Sequence, residues 1–210
     1  MTETSPEAAA AASATPDLGP PARRMARLVA DVTDDRLDDP TPCAGTSVGD
    51  LLHHVLGLST AFRDAARKDL GPTTDTDPSA SRPSAALLPA DWRTAVPRRL
   101  DELAAAWRDP AAWEGTTRAG GVTLPAAVAG RVALDELVVH GWDLARATGR
   151  EYHCEEASLR VCFDLLSRST DEADRAGAFG PVVEVPPGAP LVDRVVGLSG
   201  RDPSWAPTSD

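Results

Sequence analysis

The chain has 210 residues and carries 32 acidic against 21 basic side chains, for a net charge of −11. That length supports one ordinary domain with a real core plus tails, and that charge argues against nucleic-acid binding, which normally needs a basic face. No apolar run approaches the roughly 20 residues of a membrane span, and the first residues lack the positive stretch and apolar core of a signal peptide. Residues 1–17 and 204–210 are expected to be disordered tails. The three cysteines, Cys43, Cys154 and Cys162, are an odd set without metal-binding spacing and fit a reducing cytoplasm.

Leu18 to Arg36 reads as a first helix, with Met25, Leu28, Val29 and Val32 at core spacing. Arg36 to Gly45 is a turn-rich connector containing Asp39-Pro40 and Thr41-Pro42. Thr46 to Lys68 reads as the second helix, with Ser47 as N-cap and Asp50 three residues later, a variant of the capping box. Leu51, Leu52, Val55, Leu58 and Phe62 supply its apolar face. His53 and His54 lie in its first turns about 100° apart, so at most one faces a shared centre.

Asp69 to Pro89 is polar and proline-rich and reads as a long crossover. Ala90 to Arg108 is the third helix, its start interrupted by Pro97. Asp109 to Leu124, with Gly115, Gly120 and Gly121, reads as a loop. Pro125 then opens the fourth helix, which runs to about Thr148 with Gly149 just beyond its end. Glu155 to Asp174 reads as a fifth helix, 179–185 as an edge strand or arm, and Ala189 to Gly200 as a last short helix. Four principal helices with a long crossover define an all-α bundle with a C-terminal appendage.

The chemistry concentrates in Ala133 to Gly149, ALDELVVHGWDLARATG. Glu136 and His140 are four residues apart, so on a helix they stack on one face. Such a pair is half of a metal site, and a third ligand from another helix would leave positions for water or substrate. The competing reading is a surface Glu–His pair or a core histidine bonded to a carboxylate. Asp143 can orient the His140 imidazole or act as an acid/base; the alternative is a salt bridge to Arg146 or Arg150. Arg146 can meet an anionic substrate, or be merely solvated. Asp143 and Arg146 are the candidate catalytic residues. Trp142 reads as core, as do Cys154 and Cys162. Cys43, just before the second helix, is a turn anchor or a thiol favoured by the helix dipole.

TPCAG at 41–45, followed by DLLHHVLG, and later ELVVHGWDLARATG, resemble the actinobacterial DinB-like family related to the N-terminal domain of mycothiol-dependent maleylpyruvate isomerase. The tail from Ala178 to Pro203 resembles the same branch, so the likeness covers roughly residues 20 to 203. It implies a four-helix bundle over 18–150, with a C-terminal helix and arm over 151–203 packed on it. It also implies a divalent metal, zinc or nickel, held by one histidine of the second helix and the Glu-x-x-x-His pair of the fourth. By position these are His54, Glu136 and His140, with His53 in the variable place.

Two departures stand out. Thr46 occupies a place where the family usually has tryptophan. The isomerase also carries a further C-terminal domain with catalytic groups, and the roughly 60 residues after this bundle do not resemble it, so maleylpyruvate isomerisation is not implied. The expectation is thiol-dependent transfer or isomerisation on a small electrophile, with mycothiol as co-substrate and room for a homodimer. The alternatives are a non-catalytic metal-binding, sensor or partner-binding module, or a metal-dependent hydrolase.

Overall fold

The computed structural model describes residues 15–77, 82–168 and 179–207. In chain order the helices are α1 (Gly19–Ala30), α2 (Val48–Arg67), the single turn α3 (Pro72–Asp75), α4 (Trp92–Ala106), α5 (Ala126–Ala147), α6 (Glu156–Leu166) and α7 (Leu191–Leu198). Helices α1 and α2 each pack against both α4 and α5, which closes a four-helix bundle; α6 lies on α5, and α7 on α6. Among the described residues no helix is long and apolar enough to cross a membrane.

The core follows the helical spacing of the apolar residues. Met25, Val29, Leu51, Leu52, Val55, Val96, Leu100, Leu103, Leu134, Leu137 and Val138 are all almost fully buried. The N-terminus of α2 is fixed as its sequence dictates. The Ser47 hydroxyl accepts from the Asp50 amide at 3.2 Å, and Asp50 accepts from the Ser47 amide at 3.1 Å. Asp50 also accepts from the Ala85 amide at 2.8 Å, which ties the end of the crossover to the same turn. Burial opposes the Asp50 charge, but these backbone donors outweigh it and hold the carboxyl below its ordinary range.

Two expectations are corrected. The segment read as a loop over Asp109–Leu124 contains an antiparallel hairpin, β1 (Thr116–Ala119) and β2 (Val122–Pro125). Gly120 and Gly121 both have positive φ, 59° and 77°, the conformation a tight two-residue hairpin turn demands. The hairpin is anchored from outside: the Thr117 hydroxyl donates to the Ala65 carbonyl at 2.6 Å, and the Gly121 amide to the Thr74 carbonyl at 2.9 Å. Second, Pro97 does not interrupt the start of α4 but sits inside it. The burial of Trp92, Val96, Leu100 and Leu103 outweighs the one backbone bond that a proline removes. Of the two readings of 179–185, edge strand or arm, the structure has the arm. It runs extended along α7, with the Val183 amide on the Gly197 carbonyl at 3.0 Å.

Helix α6 ends at Leu166; residues 169–174 of the expected fifth helix lie outside the described residues, as do 1–14 and 208–210 of the expected tails. Asp17 is described and accepts from the Gly19 amide at 2.8 Å.

Close approach sets one end of α5. Trp107 and Trp113 meet edge to face with ring centroids 4.8 Å apart. Trp113 donates to the Trp107 carbonyl at 2.8 Å, and Trp107 to the Phe62 carbonyl at 3.1 Å. Their rings rest on Gly130, where a Cβ would come within 2.5 Å of Trp113 and 2.7 Å of Trp107. Gly130→Ala therefore lowers stability by about 1–3 kcal/mol through overpacking, although alanine is the better helix former. Urea unfolding of the full chain measures it.

Candidate metal centre

Helices α2 and α5 lie side by side, and each presents one turn to the same spot. His54 comes from the second turn of α2; Glu136 and His140 come from successive turns of α5. The nearer Glu136 oxygen, Oε2, sits 3.0 Å from Nε2 of His140 and 3.4 Å from Nε2 of His54. The imidazoles meet edge to face with centroids 4.9 Å apart. One ligand atom from each of the three residues lies within 4.8 Å of the others. A tetrahedral ion with bonds of about 2.1 Å separates its ligands by about 3.4 Å, which is the scale of the two contacts that Glu136 makes here. His54 and Glu136 keep 30% and 24% of their side-chain surface exposed, so the centre is open on one side.

Helical spacing left the two adjacent histidines undecided and the resemblance chose His54; in the structure the two point to different neighbours. His53 turns to the crossover and accepts from the Ser84 amide through Nδ1 at 3.2 Å. His54 alone of the pair reaches Glu136.

Behind the three residues runs a buried chain of charge. His140 Nδ1 lies 2.9 Å from Asp143 Oδ2, and Asp143 is completely buried. With Nδ1 carrying the proton toward Asp143, the Nε2 lone pair is the one left to face a cation. Asp143 pairs not with Arg146 or Arg150 but with Arg201, from the segment after α7. Arg201 donates to Oδ1 at 3.3 Å and Oδ2 at 3.1 Å, and to the Ser199 carbonyl at 2.8 Å. Sequence reasoning missed Arg201, which is 58 residues away and marked by no local pattern; its burial at 8% exposure is a tertiary fact.

Burial opposes the charge on Glu136 and on Asp143. Hydrogen bonds from His140 and His54 hold Glu136 far below the ordinary carboxylate range all the same. For Asp143 it is the Arg201 charge and the His140 bond that keep the pKa low. Burial also works against a charged His140, but its bonds to Asp143 and Glu136 push it up to about 10. A cation at Nε2 therefore competes with a proton there. Beside Glu136, Asp135 is buried at 2% exposure; burial and the Glu136 charge raise it to about 7, and its Oδ1 has no hydrogen-bond partner.

The remaining residues singled out by sequence lie as follows. The Arg146 guanidinium is held by the Trp205 carbonyl, with Nε at 3.0 Å, and stacks toward Trp142 at 5.8 Å. Trp142 is buried, as read. Cys43 is partly buried and its sulfur accepts from the Thr46 hydroxyl at 3.5 Å, so Thr46 helps to close the turn that Cys43 anchors. Cys162 is buried and Cys154 partly so.

A helical bundle with an open His–Glu–His cluster between two of its helices is thus the class that fold and site define. The family model for the mycothiol maleylpyruvate isomerase N-terminal domain matches residues 18–145, and the chain belongs to that family. Two solved structures share the fold. One is the mycothiol-dependent maleylpyruvate isomerase, at 20% identity and TM-score 0.58, over 76% of this chain and 70% of that one. The other is a histidine-to-alanine mutant of mycothiol-dependent maleylpyruvate isomerase, at 18% identity and TM-score 0.59, over 79% and 72%. No curated protein matches the chain significantly.

The Asp143–Arg201 pair yields a prediction. Asp143→Ala strands a buried guanidinium and costs about 3–5 kcal/mol, whereas replacing both partners by apolar residues costs much less. A double-mutant cycle by chemical denaturation, with Arg201→Met and Asp143→Leu, reads the difference.

Proposed function

We propose that the chain binds one divalent cation through His54, Glu136 and His140 and catalyses thiol-dependent transfer or isomerisation on a small electrophile, with mycothiol as the thiol. The observation that carries this reading is the geometry: two imidazole Nε2 atoms from separate helices converge on one carboxylate oxygen, at 3.0 and 3.4 Å. Family membership and the mycothiol-dependent enzymes that share the fold support the choice of thiol. Imidazole and carboxylate donors suit zinc first and nickel second. When bound, such an ion lowers the pKa of a thiol or water and so supplies an anionic nucleophile at neutral pH.

The chain's own groups perform the supporting work. Asp143 fixes the tautomer and tilt of His140. Arg201 keeps Asp143 ionised and thereby makes the C-terminal segment part of the centre. In this reading 18–150 is the metal-binding unit, and 151–203 is packed on it as the second half of the same structure. The exposed edges of His54 and Glu136 define the side from which thiol and electrophile enter. Asp143, being fully buried behind His140, acts through that imidazole. Arg146, held by Trp205, is left as a contact for an anionic group only if that carbonyl releases it. The net charge of −11 supports small-molecule rather than nucleic-acid partners, and three free thiols support a reducing, cytoplasmic setting.

Elemental analysis and thiol consumption on the full chain test the proposal. One zinc or nickel per chain is expected, together with mycothiol consumption on an electrophilic aryl halide. His54→Ala and Glu136→Gln should each weaken the metal by more than about 100-fold and abolish turnover; Arg201→Met should cost about 10–100-fold in affinity. Metal retention without mycothiol consumption would replace the enzyme by a binding module. Ester hydrolysis without thiol would make it a hydrolase. Absence of a stoichiometric metal would overturn the whole reading.

A further inference from the structure

A second site lies between α1 and the linker joining α5 to α6. A cavity of about 170 Å³ is lined there by Arg23, Arg24 and Arg27 of α1 and by Tyr152, Cys154 and Glu155 of the linker. Arg23 and Arg27 are one helical turn apart, with Arg24 beside them, so three guanidiniums share one wall. Among the described residues none of the three has a hydrogen-bond or ion-pair partner, although the chain carries 32 carboxylates. Some arginines of the chain are neutralised, Arg36 by Asp39, Arg63 by Glu102, Arg118 by Asp75 and Arg201 by Asp143, while others, such as Arg67 and Arg131, stand alone among the described residues but outside this concave wall. Among the described residues Glu155 supplies the only carboxylate of the lining, and His153 at the rim already faces Glu151 at 3.3 Å. A neighbouring cleft of about 210 Å³ shares Arg24 and Arg27, and there Arg150 is occupied by Asp31 at 3.3 Å.

We infer that this cavity is a binding site for a small organic anion, held by Arg23, Arg24 and Arg27 through a carboxylate or phosphate group, with Tyr152 and Cys154 as its floor. Guanidinium forks match such oxyanions in geometry and charge. Three unneutralised arginines on one concave wall are the arrangement that an anion completes. Burial, with the neighbouring thiol charges, raises the Tyr152 phenol well above its usual value, and burial pushes the Cys154 thiol up to about 11. Both floor groups are therefore neutral near pH 7 and do not repel an anion. The site includes no residue of the His–Glu–His centre but sits close behind it. A Cβ on Gly141, the residue after His140, would come within 3.1 Å of the Tyr152 ring.

The test uses the full chain in chelator-containing buffer, with inorganic phosphate and succinate as probes and calorimetry as the readout. Saturable one-to-one binding of either probe is expected, weakened at least about tenfold by Arg24→Met and by Arg27→Met, as loss of a charge-assisted hydrogen bond implies. Arg160→Met, outside the cavity, should leave it unchanged. Phosphate alone would mark a phosphoryl ligand, and succinate alone a carboxylate. A second readout needs no variant: the bound probe should slow alkylation of Cys154, located by peptide mass mapping. No saturation by either probe, equal binding by folded arginine variants, or unprotected Cys154 would overturn the inference.

Discussion

The centre depends on one shared acceptor. Glu136 Oε2 faces imidazoles from two helices, at 3.0 and 3.4 Å, and this requires α2 and α5 to hold both rotation and height against each other. Each end of the arrangement has its own fixing device. The Ser47–Asp50 capping box sets where α2 begins, and therefore which face His54 occupies two turns later. Trp107 and Trp113, seated on Gly130, fix α5 at its other end. Packed interiors transmit such constraints because they deform little.

Placing carboxylates and imidazoles at this depth costs solvation, and an isolated pair would repay that cost poorly. The chain spreads the charge over a line from Glu136 through His140 and Asp143 to Arg201. Each member has a partner of opposite sign, and the arginine comes from the segment beyond α7. The segment beyond α7 therefore supplies the last member of this line, the Arg201 that pairs with Asp143. Asp135, beside Glu136, is the exception, with a buried oxygen that lacks a hydrogen-bond partner.

Much of this was legible in the residues. Spacing alone placed Glu136 and His140 on one face, and the apolar period identified the four bundle helices, although α1 ends at Ala30, six residues before the Arg36 that the pattern suggested. The cap at Ser47 and the stop at Gly149, whose φ is +69°, follow from local chemistry that tertiary structure did not override. What was missed is non-local. The hairpin hid in a glycine-rich stretch, because its strands are only four residues each and owe their order to Ala65 and Thr74. Pro97 read as a break because the burial around it is invisible in a one-dimensional pattern. Arg201 could not be linked to Asp143 by any spacing rule, so the arginines nearer in sequence stood in for it. The choice of His54 over His53 came from resemblance, since helical geometry says only that the two diverge.

The most direct test of the central claim is X-ray absorption at the zinc edge of the full chain loaded with one equivalent of zinc, without added thiol. The account predicts a shell of nitrogen and oxygen near 2.0–2.1 Å with outer-shell scattering from two imidazoles, falling to one imidazole in His54→Ala. A shell containing cysteine sulfur, or scattering unchanged by removal of His54, would contradict it.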